Sequence, residues 1–310
     1  MEEFFISNQH LIKYEQWQDI INKLYSEKYI GEQIKESDII LSLRKLIEQS
    51  ILNRTNKNEI FGIFFSGGLD SSLIAAICKK NKIKFTCYTV GFQDGNMKLP
   101  EDVKYAVKVA KHIGLSDKEF KYKIFNTKEI ENILDKTAKI LKYMPEGPNT
   151  NQIVNLGVAA VEVAAYSISK KEKYFFSGIG SEEIFAGYER HKNNPTNEEC
   201  FNGLIKMYER DLLRDFEVSK SLGFSFLTPF LDKELVKYAL KIPINYKINS
   251  KDNKIILRKA AYNYLKEYSK RRKKAAQYGS SFDKAITKLA SKNGFKTKKE
   301  YYNSIIKKAL

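Results

Sequence analysis

Cysteine is scarce in this chain. The 310 residues include three, Cys78, Cys87 and Cys200, an odd number with no CxxC or Cys/His spacing. That excludes a disulfide framework and any zinc site of recognisable pattern. Histidine is equally rare: His10, His112 and His191 stand apart, without metal-ligand partners in sequence. No apolar run approaches the ~20 residues of a membrane span. The start, MEEFFISNQH, has neither a basic leader nor an apolar core with a small-residue cleavage site. The expectation is a cytoplasmic protein with no membrane partner. Internal repeats and low-complexity linkers are missing too, and no aromatic run resembles a platform for single-stranded nucleic acid.

What is abundant is lysine. The chain carries 54 basic and 37 acidic residues, a formal net charge of +17, and only eight of the basic residues are Arg. Its composition, 43% hydrophobic and 29% charged, is that of a folded globular chain of one large or two smaller domains. Residues 266–310 hold 14 basic and 3 acidic side chains, a local +11, so most of the charge belongs to the C-terminal end. Such a segment can hold polyanions, or it can be a solvated face.

Residues 10–54 read as helices, with Ile39, Ile40, Leu43, Leu46 and Ile47 at helical spacing between Ser37 and Ser50. Strand and helix signals then alternate. EIFGIFF (59–65), IKFTCYTVGF (83–92), KEFKYKIF (ending at Phe125) and KYFF (before Ser177) are short buried-strand candidates. Helical periodicity follows each of the first three, over DSSLIAAICKK, 101–115 and 127–141, and again from about Gln152 to Lys170. This alternation predicts an α/β fold with a doubly wound parallel sheet covered on both faces. From Glu198 onward the signals are mainly helical. The expected division is an N-terminal helical segment (1–54), an α/β nucleotide-type domain (55–195), and a helical C-terminal part with a basic tail (196–310). Ligands of such sheets bind at the carboxyl ends of the strands.

The most specific local signal is Ser66-Gly67-Gly68-Leu69-Asp70-Ser71-Ser72, between the first buried strand and a helix. Gly67 and Gly68 let the backbone turn tightly and bring its N–H groups to an anion. Ser66, Ser71 and Ser72 offer hydroxyls, and the helix start adds free N–H groups. Asp70 would repel a bare phosphate, which suggests Mg²⁺ between carboxylate and phosphate. The loop is neither GxxxxGK[ST] nor GxGxxG. A second glycine turn, Ser177-Gly178-Ile179-Gly180-Ser181-Glu182-Glu183, follows a strand in the same way. Its glutamates suit a helix N-terminus, and Glu182 with Asp70 could clamp one Mg²⁺.

The SGGxDS pattern resembles the loop of ATP pyrophosphatases. Together with YTVGF (88–92), SGIGSEEIFAGY (177–188), TPFLDKELVKYALKIP (228–243) and KIILRKAA (254–261), it makes residues 37–285 resemble the synthetase domain of asparagine synthetases and β-lactam synthetase. KKAAQYGSS (273–281) and the GIG turn resemble the asparagine synthetase domain-containing branch. The resemblance implies an AMP-forming ligase. A carboxylate attacks the α-phosphate of ATP, Mg-pyrophosphate leaves, and ammonia or an amine attacks the acyl adenylate. It further implies that Ser66, Gly67, Gly68, Ser71 and Ser72 hold pyrophosphate and that Asp70 and Glu182 hold Mg²⁺. Val90, Gly91, Ser177 and Gly178 would lie along the adenosine. Lys274, or Lys273 one residue away, would stabilise charge on the reacting phosphate.

Departures from the family pattern concentrate on the acceptor side. Ile179 stands where the family has a Glu or Tyr and can neither accept nor transfer a proton. Gly223-Phe224-Ser225-Phe226-Leu227 replaces a glycine segment with Glu and Arg, which puts an aspartate pocket in doubt. Glu2 occupies the position of the glutaminase cysteine. The expectation is therefore a chain that cannot hydrolyse glutamine, fed by ammonia or an amine, with a separate subunit as one source. Glu146, in a Pro-Glu-Gly-Pro turn, matches an acidic turn near the family's cleft and equally a polar loop. Two other readings stay open: an ATP-dependent tRNA-modifying enzyme using the basic tail, and a non-catalytic ATP-binding subunit.

Overall fold

The computed structural model describes residues 3–26, 34–142, 144–145, 147–272 and 274–309. Glu2, Glu146 and Lys273 lie outside the described residues. A short antiparallel hairpin, β1 (Ile6–Ser7) and β2 (His10–Leu11), precedes helices α1 (Tyr14–Tyr25) and α2 (Glu36–Leu52). The α/β part follows as β3 (Phe61–Phe64), α3 (Leu69–Lys80), β4 (Phe85–Phe92), α4 (Glu101–His112), β5 (Phe120–Phe125), α5 (Thr127–Leu141), α6 (Gln152–Ser167) and β6 (Tyr174–Phe176). Short helices α7 (Ser181–Ile184) and α8 (Arg190–Asn193), then α9 (Asn197–Met207), a π-turn over Tyr208–Leu212 and α10 (Leu213–Leu222), lead to β7 (Ser225–Leu227). The chain ends with α11 (Lys233–Lys241), α12 (Ile244–Lys247), α13 (Ile255–Leu265), α14 (Ala276–Gly279), α15 (Phe282–Lys292) and α16 (Lys298–Ala309).

The central sheet has five strands in the order β5-β4-β3-β6-β7, all parallel. Strand alternation divides its side chains between two cores. Phe61, Ile63, Phe85 and Cys87 join the core under α2, α3, α11 and α13. Tyr88, Val90, Phe92 and Phe175 join the opposite core under α5, α6, α15 and α16. The expected doubly wound sheet is observed. The expectation of mainly helical structure beyond Glu198 needs one correction, because β7 pairs with β6 there as the fifth strand. Three residues, Ser-Phe-Leu, are too few to show a strand period, and the pairing itself stabilises them.

The basic tail is folded. Helices α15 and α16 bury Phe282, Ala285, Ile286, Leu289, Tyr301, Tyr302 and Ile305 in the second core, while Lys284, Lys288, Lys292, Lys307 and Lys308 face solvent. The periodicity of those apolar residues, not the lysine count, determines where the segment lies. The three cysteines are buried and unpaired. Among the described residues no helix is long and apolar enough to cross a membrane.

Candidate active site

Chain direction across the sheet reverses between β3 and β6, and at that switch point the carboxyl ends of two neighbouring strands leave a crevice. Both glycine turns emerge there. Gly67 has φ +66°, and a Cβ on it would lie 2.5 Å from the backbone nitrogen of Ala106 in α4, so only glycine fits. Gly68 then caps α3, whose first bond runs from Ser72 N–H to Gly68 O at 3.0 Å. The N–H groups of Leu69, Asp70 and Ser71 therefore lack acceptors within the helix. Ser66 Oγ accepts from Gly68 N–H at 3.3 Å and Ser71 Oγ accepts from Ser66 N–H at 3.3 Å, which braces the loop.

The second turn presses directly on the first. A Cβ on Gly178 would lie 2.8 Å from Asp70 Cβ. This contact brings the Ser181 hydroxyl to Asp70 Oδ1 at 2.7 Å. The two consecutive glutamates part ways. Glu183 turns inward, 1% exposed, and pairs with Arg210. Burial raises its carboxyl above the usual range, with Arg210 opposing. Glu182 turns toward Asp70. Between these two carboxylates sits the ammonium of Lys254, 3.0 and 2.8 Å from the Asp70 oxygens, 2.9 Å from Glu182 Oε1 and 3.1 Å from Ser181 Oγ. Burial alone would lower the lysine, but Asp70 and Glu182 outweigh it and hold it above its ordinary value.

Two cavities meet at this carboxylate pair. One, of about 200 Å³, is lined by Ser66, Gly68, Ser71, Val90, Ser177 and Gly178, together with Asp70 and Glu182. The other, of about 220 Å³, is basic, with Lys192, Lys251, Lys254, Arg258, Arg271 and Arg272 around the same two carboxylates. A phosphate chain passing from the first cavity to the second would cross the loop N–H groups and then enter a cation-rich recess. A third chamber, of about 600 Å³, shares Ile179 and Asp215 with the first and is lined by Phe216, Phe224, Ser225, Phe226 and Thr228.

Eight of the residues expected at the site thus line one cavity: Ser66, Gly68, Asp70, Ser71, Val90, Ser177, Gly178 and Glu182. Four others are placed elsewhere. Gly67 lies beneath the loop against α4, and Gly91 packs on Pro100 and Val103. Ser72 is buried in α3 with its hydroxyl unpartnered. Lys274 is exposed and pairs with Glu101 at 3.1 Å, away from both carboxylates. His191 is buried, accepts from Tyr188 N–H at 3.1 Å through Nδ1, and is lowered to about 3 by burial and by Arg190. It is a neutral packed ring outside these cavities.

Sequence reasoning missed several residues that shape the site. Lys254 is the first residue of KIILRKAA, yet nothing in the spacing says that it returns to Asp70. Arg271 donates to Ser66 O at 2.6 Å and to Asp102 Oδ1 at 2.6 Å, with both ion-pair side chains 3% exposed. Glu162 and Asp215, on α6 and α10, face the first cavity beside Arg214. Burial raises Asp215 to about 6 against Arg214, and burial with the nearby Asp215 holds Glu162 well above the usual range. Lone acidic residues on helices carry no sequence signal for such a pair.

A profile of the asparagine synthase family matches residues 42–221 and 193–303. A Methanocaldococcus jannaschii protein named as a glutamine-hydrolyzing asparagine synthetase is 30% identical over 83% of this chain and 52% of its own length. Glutamine-hydrolyzing asparagine synthetase 1 of Lotus japonicus is 25% identical over 79% of this chain and 43% of its own length. Asparagine synthetase domain-containing protein YML096W of Saccharomyces cerevisiae is 38% identical over 41% of this chain and 25% of its own length. The chain spans about half, or less, of the length of these relatives. Among solved structures, an NH3-dependent NAD synthetase from Campylobacter jejuni aligns with a TM-score of 0.35 and 16% identity, over 89% of this chain and 94% of that one. Because the profile covers both glycine turns, the strands that carry them and Lys254, the chain belongs to the asparagine synthase family.

Proposed function

We propose that this chain is a Mg-ATP-dependent, AMP-forming carbon–nitrogen ligase. The observation that carries the reading is the convergence of Asp70 and Glu182, from two different strand ends, on one cation beside the glycine loop and the N-terminus of α3. Two carboxylates suit Mg²⁺, which keeps waters and takes its remaining oxygens from substrate phosphates. The position between them already accommodates a positive charge, that of Lys254. When bound there, Mg²⁺ neutralises phosphate charge and orients the pyrophosphate leaving group.

The chain's own groups supply the rest. Ser66, Gly68, Ser71 and the N-terminal turn of α3 bind the β- and γ-phosphates, and Val90, Ser177 and Gly178 line the nucleoside side of the cavity. The carboxylate of the substrate attacks the α-phosphorus, the bond to the pyrophosphate oxygen breaks, and an acyl adenylate forms. Lys254, Arg258 and Arg271 are among the cations of the basic recess that would face the departing charge, and electrostatic stabilisation of this kind is the main source of rate in phosphoryl chemistry. Ammonia or an amine then attacks the acyl carbon and AMP leaves. The chamber behind Ile179, lined by Asp215 and four phenylalanine rings, holds Ser225 and Phe226 of the segment whose sequence departs from the family pattern.

The test is carboxylate-dependent exchange of labelled pyrophosphate into ATP, screened over aspartate and other carboxylates. Exchange that Asp70→Ala abolishes is the expected result. ATP binding by a thermal-shift assay with no exchange, and no AMP with any carboxylate and amine, would replace this reading with a non-catalytic nucleotide-binding subunit.

A further inference from the structure

Lys254 is built into its position. It is the N-cap of α13 and adopts a left-handed backbone, φ 51° and ψ 32°, unusual for a residue with a side chain. Arg258, one turn later, donates to Asn253 O at 2.8 Å and to the carbonyls of Ser269 and Arg271 at 2.9 Å, which anchors the approach to the helix. Asn253 itself donates to Gly187 O at 2.6 Å, tying this segment to the end of the second glycine turn. The backbone is therefore held, and the lysine is delivered to the carboxylates by a side chain that is 4% exposed.

An ammonium has three donors. Here they meet Asp70, Ser181 and Glu182, the same groups that face the proposed metal position. A divalent ion coordinated by Asp70 and Glu182 cannot share that position with the ammonium, because two cations would then lie within a few ångströms of each other on the same oxygens. The lysine has somewhere else to go. Its side chain also lines the basic recess on the far side of the carboxylates, beside Arg258 and Arg271, where a phosphate chain would supply new anionic partners.

We propose, resting on the metal reading above, that Lys254 is an exchangeable counter-ion of the ligase site. In the nucleotide-free protein its ammonium satisfies Asp70 and Glu182 and excludes divalent metal. When the metal arrives bound to a polyphosphate, the metal takes the carboxylates and the ammonium transfers to the phosphate oxygens. The carboxylates are thus never left buried without a cation, and free metal does not bind ahead of the nucleotide.

The experiment measures Mn²⁺ binding to the full chain without nucleotide, by electron paramagnetic resonance of free Mn²⁺ and by calorimetry. Lys254→Met is expected to bind Mn²⁺ at least tenfold more tightly than the native protein, and Asp70→Asn in that background to remove the gain. Lys254→Arg, which keeps the charge, should exclude Mn²⁺ as the native chain does. Lys254→Gln serves the same comparison if the Met variant does not fold. Equal Mn²⁺ affinity in the native protein and a folded Met or Gln variant overturns the proposal. The readout needs no turnover, so its failure is separable from failure of the ligase reading, which the exchange assay decides by itself.

Discussion

Removal of Asp102 tests how the phosphate loop is held. Arg271 reaches back from the C-terminal part to donate to Ser66 O and to Asp102 Oδ1, both at 2.6 Å, and its guanidinium lies 4.2 Å from the centre of the Tyr105 ring. Its side chain and that of Asp102 are each 3% exposed. Asp102→Ala leaves the guanidinium buried with no carboxylate, a change that costs about 3–5 kcal/mol when a buried pair loses one partner. With unfolding entropy near 2.1 cal/mol/K per residue, about 0.65 kcal/mol/K for this chain length, the melting temperature should fall by about 5–8 °C. Arg271→Met should cost a similar amount, but the double variant should recover about 2 kcal/mol relative to additivity, since neither charge is then stranded. Urea unfolding followed through Trp17, the single tryptophan and fully buried, gives the four free energies of the cycle. A loss under about 1 kcal/mol for Asp102→Ala, or strict additivity, would refute the argument that this pair fastens the loop.

Other outcomes follow from single positions. Gly67→Ala should lose at least about 2 kcal/mol and most ATP binding, because a left-handed φ and a 2.5 Å contact with Ala106 both oppose a side chain; a thermal-shift titration with ATP checks this. His191, at about 3 in the fold, stays neutral while the unfolded chain takes up a proton near 6.5. Its contribution to stability is therefore complete above pH 6.5 and is lost as pH falls toward 3, by up to about 1.4 kcal/mol per pH unit; His191→Gln should flatten that slope in urea midpoints taken from pH 7 to 4. Lys247, fully buried against Asn197, is lowered to about 8 by burial. The unfolded chain binds the extra proton between pH 8 and about 10.5, so native stability should gain from this group as pH rises through that window, a gain that Lys247→Met should lack.

Much of the fold was legible because hydrophobic periodicity is a local property. The helix read at 127–141 is Thr127–Leu141 in the structure, where Asn126 and Glu129 form a capping box. The strand at 83–92 begins two residues late, at Phe85, since pairing with β3 starts only there. Strand β7 escaped notice: three residues cannot declare a period, and their place beside β6 depends on a chain segment about 50 residues earlier. The site was half legible for the same reason. Residues whose task depends on backbone shape, such as Gly67 and Gly178, announce themselves by type and spacing. Residues whose task depends on partners do not.

The amino-acid sequence by itself determined the two glycine turns, their setting after strands, and the carboxylates Asp70 and Glu182 that they present. Only the tertiary structure decided which side-chain cation those carboxylates hold. Lys254 lies 184 residues from Asp70 along the chain, and Lys274, which the family resemblance suggests as the cation for the reacting phosphate, is on the surface beside Glu101. The physical reason is that a turn's conformation is set within a few residues, while a buried charge is matched by whichever opposite charge the packing of distant helices delivers to within about 3 Å.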